Sequence, residues 1–170
     1  MSLAKGFPPI ALPGARILIL GSMPGRESLA HQQYYAHPRN AFWPIVTELL
    51  QIQAPDYRQR TQQLAAHGVA LWDVLMACSR TGSLDSAIDE NSIVSNDFEA
   101  FFTAHSRIGH LFFNGAKAEA VYLKHVRPKL SAPWAALPAT RLPSTSPAHA
   151  AMSRAQKTAA WQAILETGLQ

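Results

Sequence analysis

The sequence predicts an α/β fold built on a mostly parallel sheet. Short, continuously apolar runs alternate with segments of helical spacing, and polar residues collect where each run ends. Runs that are apolar throughout belong to strands buried on both faces. Strand, helix and strand in succession make the parallel unit of such folds. The 170 residues suit one domain, 1–170, without internal repeats.

Residues 1–15, rich in Pro and Gly, are expected to wrap the surface. "ARILILGS" is the first buried strand, closed by Gly21. "NAFWPIVTELLQI" places Phe42, Ile45, Val46, Leu49 and Leu50 at helical spacing, with Pro44 in the first turn. "DYRQRTQQLAAHG" is a second helix ended by Gly68. "VALWDVL" is the next strand, and "CSRTGSLDSAIDENS" reads as a long polar loop. "SNDFEAFFTAH" is a helix with capping residues in front. "IGHLFFNG" is the third strand and "AKAEAVYLKHV" the helix after it. "WAALPATRLPSTSPAHA" holds a weaker fourth strand and a Pro/Ser loop. "SRAQKTAAWQAILETG" is a final amphipathic helix.

Hydrophobic residues make up 48% and charged residues 15%, which excludes a disordered or coiled-coil chain. A net charge of +4 leans towards anionic partners. The lone Cys78 permits no internal disulfide and fits a reducing compartment. No apolar run reaches the length of a membrane span, and no signal peptide is visible. The expectation is a cytoplasmic protein without a membrane partner.

In open α/β sheets, ligands bind beyond the carboxyl ends of the strands. Those ends fall at 21–25, 73–83, 114–115 and 142–149, where the polar and special residues concentrate. Gly21, Ser22, Met23, Pro24 and Gly25 allow a tight turn and close approach of backbone to a ligand. They form neither G-x-x-x-x-G-K-[ST] nor G-x-G-x-x-G. Tyr34 and Tyr35 offer a stacking face for a base, or serve as half-buried anchors. Asn40 either caps the adjoining helix or presents its amide to a substrate. Asp73 and Asn114 end apolar strands, where they read the edge of a heterocycle or cap the next loop or helix. Ser144, Thr145, Ser146 and His149 share one loop suited to phosphate oxygens. A Ser–His nucleophile pair is weak there, because no G-x-S-x-G surrounds a serine. The seven His show no metal-ligand spacing, so no metal is expected.

Together, "GSMPG…YYAHPRNAFW" resembles the first motif of the uracil-DNA glycosylase superfamily. It is closest in form to the mismatch-specific uracil/thymine branch, with G-I-N-P-G and later A-H-P-x-N-x-F-W. "LPSTSPAHA" sits where that superfamily has its x-P-S second motif. Met23 and L-P-S-T-S-P make the chain most similar to the hypoxanthine-DNA glycosylase (DNA-deoxyinosine glycosylase) branch. The resemblance implies a three-layer α/β/α sandwich with a four-stranded parallel sheet. It implies a monomeric, monofunctional, cofactor-free enzyme of base excision repair that flips a deaminated base from DNA and hydrolyses its bond to the sugar.

By that resemblance Asn40 takes the catalytic role, since Met23 stands where the mismatch-specific branch has its catalytic asparagine. The Asn40 amide would position the attacking water or hydrogen-bond the base. Gly21 to Pro24 line the base, Tyr35 stacks on it, and Asp73 and Asn114 lie where its edge is read. Ser144 falls in the loop that pinches the DNA backbone, with Thr145, Ser146 and His149 beside it. Leu142 occupies the place of the second-motif histidine, so no catalytic histidine is carried over. Gly25 lies on the DNA side. Arg80, Thr81, Gly82 and Ser83 read as a solvated loop first, or else as a basic, flexible stretch that contacts phosphate or enters the gap left by the base. Hypoxanthine is the expected base and uracil the runner-up. The alternatives are a mismatch-specific uracil/thymine glycosylase, a small hydrolase using Ser146 and His149, and a non-catalytic nucleic-acid binder.

Overall fold

The computed structural model describes residues 2–167 and 169. Its strands are β1 (Ser2–Lys5), β2 (Ile17–Gly21), β3 (Val69–Asp73), β4 (Leu75–Arg80), β5 (Val94–Ser95), β6 (His110–Asn114) and β7 (Ala139–Leu142). Its helices are α1 (Arg26–His31), α2 (Phe42–Leu49), α3 (Tyr57–Ala66), α4 (Phe98–Ala104), α5 (Ala116–His125), α6 (Arg154–Trp161) and α7 (Ala163–Glu166).

The central sheet has the order β3-β2-β6-β7 and is parallel throughout. These are the four expected strands. Side chains alternate across a sheet, so successive residues feed opposite cores. Leu18, Leu20, Ala70, Trp72, Leu111 and Phe113 pack with Phe98, Phe102 and Tyr122 of α4 and α5. Ile17, Ile19, Val69, Leu71 and Phe112 pack with Phe42, Leu64 and Trp161 of α2, α3 and α6. Two helix layers therefore enclose one sheet, the three-layer sandwich.

Helix starts obey local chemistry. Asp56 and Asp97 accept backbone N–H bonds at the heads of α3 and α4, and Ser153 with Gln156 forms a capping box on α6. Gly68, with φ +85°, lies just past α3 as expected. Three expectations change. The "CSR" part of the polar loop lies in β4, which pairs antiparallel with β1 and β5 in a second, three-stranded sheet. The N-terminal segment thus supplies an edge strand as well as a wrap. The single last helix is two, α6 and α7, joined at Gln162. Its expected end, Gly168, lies outside the described residues.

Candidate active site

The carboxyl ends of the four parallel strands converge on one cavity of about 560 Å³, lined by residues from all four expected ends. At its floor, Gly21 ends β2 beside Asp73, which ends β3. A Cβ on Gly21 would overlap Asp73 Oδ1 and lie 2.8 Å from Tyr35 Oη. The missing side chain is what lets a carboxyl and a phenol approach the same point.

Asp73 is only 4% exposed, and its Oδ2 has no hydrogen-bond partner among the described residues. Burial pushes its carboxyl up to about 7; the charge of Asp85 adds to this and Arg80 opposes it. Burial, with the Asp73 charge, likewise raises the Tyr35 hydroxyl, and the nearby Asn114 side chain only partly opposes that rise, so the hydroxyl remains a donor. Tyr35 Oη makes no hydrogen bond among the described residues. Its ring lies on Phe42, with centroids 4.1 Å apart and planes at 21°. Its backbone sits in the left-handed region at φ +56°, a strained position for a bulky residue. Tyr34, by contrast, is an anchor: its hydroxyl donates to Pro8 O and its carbonyl accepts from Trp43 Nε1.

Asn40 sits one residue before Ala41, the N-cap of α2, and lines the cavity. Its Oδ1 accepts from Phe42 N at 2.9 Å, securing the entry to α2. Its Nδ2, with no hydrogen bond among the described residues, belongs to a residue lining the cavity. The bond from Phe42 N orients the amide, which leaves its N–H₂ as a donor on the cavity side.

Asn114 is used differently. Its Nδ2 donates to Thr145 Oγ1 at 3.0 Å and its Oδ1 accepts from Thr145 N at 2.9 Å. Thr145 O then accepts from Ala41 N at 3.0 Å, next to Asn40. Trp161 Nε1 holds Pro143 O from below. Asn114 and Thr145 thus lock the 144–149 loop to the first-motif segment. Thr145 is 1% exposed, so its expected DNA contact is replaced by this internal one.

Arg80 is also corrected. It is 5% exposed, with Nε donating to Gly82 O and Nη2 to Pro24 O. It clamps two loops together instead of standing in solvent. Ser83 Oγ accepts from Arg26 N, and Ser22 Oγ donates to Asp85 Oδ1 at 2.6 Å. Met23 is buried in a core cluster while lining the cavity. Gly25 faces Ser83. Ser144 Oγ accepts from Ser146 N, and Ser146 Oγ from Ala148 N. His149 and Ser146 share only a backbone hydrogen bond, so no Ser–His pair forms. His149 Nε2 is buried without a partner among the described residues. Among those residues no group of three His, Cys, Asp or Glu could hold a metal, and no helix is long and apolar enough to cross a membrane.

A family model described as the uracil DNA glycosylase superfamily matches residues 8–166. The chain belongs to that superfamily. It is 39% identical over 116 residues to a hypoxanthine DNA glycosylase of Methanosarcina acetivorans, spanning 67% of this chain and 72% of the relative. A hypoxanthine DNA glycosylase of Methanosarcina barkeri is 35% identical over the same shares. A solution NMR structure from Methanosarcina acetivorans, solved as a candidate uracil DNA glycosylase, superposes with a TM-score of 0.74 at 33% identity. That match covers 96% of this chain and 99% of the other.

Within this superfamily fold, the cavity takes residues that sequence reasoning missed. Asp85, Ser86, Leu84, Lys117 and His37 all line it. Asp85 alone had a signal, an acid in a polar stretch close behind a strand end. Its tie to Ser22 is 63 residues long and invisible to local pattern.

Proposed function

We propose that this chain is a single-domain, monomeric DNA glycosylase of the cytoplasm. It takes a deaminated base, hypoxanthine first, flipped out of DNA, and hydrolyses the bond between base and sugar. One observation carries the reading. Asp73 and Tyr35, both lining the cavity at the strand ends, hold buried polar atoms with no partner among the described residues. Such atoms are costly unless a ligand completes their hydrogen bonds.

The donors favour the class of base. Deamination replaces an amine with a carbonyl. Tyr35 O–H, the Asn40 amide N–H and a protonated Asp73 all donate, which suits a carbonyl oxygen and leaves an amine opposed by unpaired donors. The relatives named as hypoxanthine DNA glycosylases support a purine over uracil.

In the reaction, positive charge grows on the sugar and negative charge on the departing base. Donors held in place before the reaction stabilise that charge without reorganising. Asn40 does this with an amide whose orientation is fixed by Phe42 N. With no strong general base at the Met23 position, stabilising the leaving group carries more of the rate than activating water does. Tyr35 stacks on the flipped base while Phe42 supports its other face.

The test is a panel of labelled duplexes carrying hypoxanthine, uracil or xanthine, treated with alkali after incubation. Strand breaks are expected at hypoxanthine above all. A full panel without breaks refutes the proposal. Breaks at uracil alone move the chain to the mismatch-specific reading.

A further inference from the structure

Cleavage of the bond between base and sugar separates charge, and the donors described above meet only the negative half of it. Tyr35, Asn40 and Asp73 donate towards the departing base. The sugar becomes positive, and a fixed negative group is what stabilises that charge. Resting on the glycosylase reading above, we propose that Asp85 is that group: its carboxylate faces the sugar at the cavity mouth, stabilises the positive charge and takes the proton of the attacking water.

Three acids line the cavity among the described residues, Glu27, Asp73 and Asp85. Asp73 is buried and keeps its proton up to about 7, so it is a donor. Glu27, on α1, turns along its own helix, with Oε2 3.8 Å from His31 Nδ1. Asp85 remains. Its Oδ1 accepts from Ser22 Oγ at 2.6 Å, and its Oδ2 has no hydrogen bond among the described residues. Ser22 follows Gly21 at the end of β2, so this bond draws the carboxylate from the loop after β4 to the turn that lines the cavity. Asp85 also opens a single 3-10 turn, Asp85–Ala87, and its carbonyl accepts from Ile88 N, which fixes the backbone behind it. Its charge reaches the cavity floor, where it helps to raise both Asp73 and Tyr35. Lys117, which also lines the cavity, pairs with Glu90, and Asp85 has no ion-pair partner among the described residues.

An anionic side chain repels the phosphates of DNA, so one held at this mouth weakens binding and is useful only if it acts in the reaction. A duplex laid over the mouth excludes water, and a charge there acts more strongly than it does in solvent. The step balances with water alone. The bond from the sugar to the base breaks, and its electron pair leaves with the base. The water oxygen bonds the sugar carbon, its proton passes to the Asp85 carboxylate and on to solvent, and the base takes up a proton from solvent.

Two variants separate charge from position. Asp85→Asn still accepts from Ser22 and loses only the charge, whereas Ser22→Ala keeps the charge and loses the bond. Both are compared with wild type on a hypoxanthine duplex by single-turnover release, and on the same duplex with a 2′-fluoro sugar, which resists cleavage, by binding. For Asp85→Asn the rate is expected to fall about 10²-fold, with Tm unchanged and binding unchanged or tighter. Ser22→Ala should lose about threefold to tenfold. Because Asp85 also raises Asp73, Asp85→Asn is repeated in an Asp73→Asn background, where no carboxyl at that place can ionise, and the loss should persist. A loss that disappears there would overturn the proposal, because Asp85 would then act through Asp73. So would a loss accompanied by weaker binding or a lower Tm, or a larger loss in Ser22→Ala than in Asp85→Asn, because Asp85 would then only hold the loop. Release by Asp85→Asn at the rate of an active wild type overturns the role of Asp85 alone. A wild type that releases no base overturns the glycosylase reading, and this role with it.

Discussion

Two polar pairs flank strand β2 at the mouth of the sheet, and they are built in opposite ways. Asn114 and Thr145, on the β6 side, satisfy each other twice and are finished without a ligand. Asp73 and Tyr35, on the β3 side, approach Gly21 together yet keep buried atoms with no partner among the described residues. Each pair joins a polar residue that ends a strand to a residue from a loop, and sequence gives them the same character. The difference separates scaffold from site: a finished pair holds a loop in place, whereas an unfinished pair holds capacity for a ligand.

The largest effect should come from ionising the unfinished pair. Asp73 titrates at about 7 in the folded chain against 3.8 for an ordinary carboxyl. Protonation therefore favours folding. The stability it contributes is full below 3.8 and is lost as pH rises through about 7, an effect of a few kcal/mol at most. Asp73→Asn should flatten that slope in urea titrations between pH 4 and 8. The wild type is expected to lose kcat/KM above pH 7, and Asp73→Asn should remove that fall, since an amide still donates. A rate that instead rises with ionisation would make Asp73 a proton acceptor and not a reader of the base.

Asn40→Ala comes next. It removes the fixed donor, and losing one such donor costs about 10²–10³ in rate. Its stability should fall only by what the helix-entry bond contributes, about 1 kcal/mol. DNA binding should hold. Release of base at the wild-type rate would strip Asn40 of its role.

The range of each interaction decides how legible it was in the sequence. The four parallel strands and their converging ends were legible, because burial on both faces makes a strand apolar throughout and its end abruptly polar. Strand β4 was not. It alternates imperfectly, and its partner β1 lies about 75 residues earlier, as in the pair Ser2↔Arg80. For Arg80 the sequence supplies a charge but not the carbonyls of Pro24 and Gly82 that bury it. Asn40 shows the limit from the other side: sequence offered a helix cap, and the structure puts its Oδ1 on Phe42 N from one residue before the N-cap Ala41. The unfinished state of Asp73 and Tyr35 depends on a missing Cβ and a left-handed backbone, neither of which leaves a pattern.

Smaller effects test the finished pair. Asn114→Ala strands the Thr145 amide N–H in the interior and should cost about 2 kcal/mol of stability. In a chain of this size that is a loss of about 4–8 °C in Tm by calorimetry. Activity should fall through the displaced 144–149 loop, and uniformly over bases, because the contact carries no base information. A base-selective loss would return Asn114 to the reading of the heterocycle.

The smallest change in stability is the sharpest on sign. Thr145→Val and Tyr35→Phe each remove one hydroxyl with little change of shape. At Thr145 the hydroxyl accepts from Asn114 Nδ2, so its loss leaves a buried donor and should destabilise by about 1 kcal/mol. At Tyr35 the hydroxyl is buried without a partner among the described residues, so its loss removes a desolvated group. Tyr35→Phe should leave stability unchanged or raise it by about 1 kcal/mol, while the ring still stacks on Phe42. Discrimination between hypoxanthine and adenine should narrow, because the donor that favours a carbonyl is gone. Calorimetry beside competitive base release reads both halves. A destabilised Tyr35→Phe would mean that the hydroxyl already has its partner in the free protein, and the contrast between the two pairs would collapse.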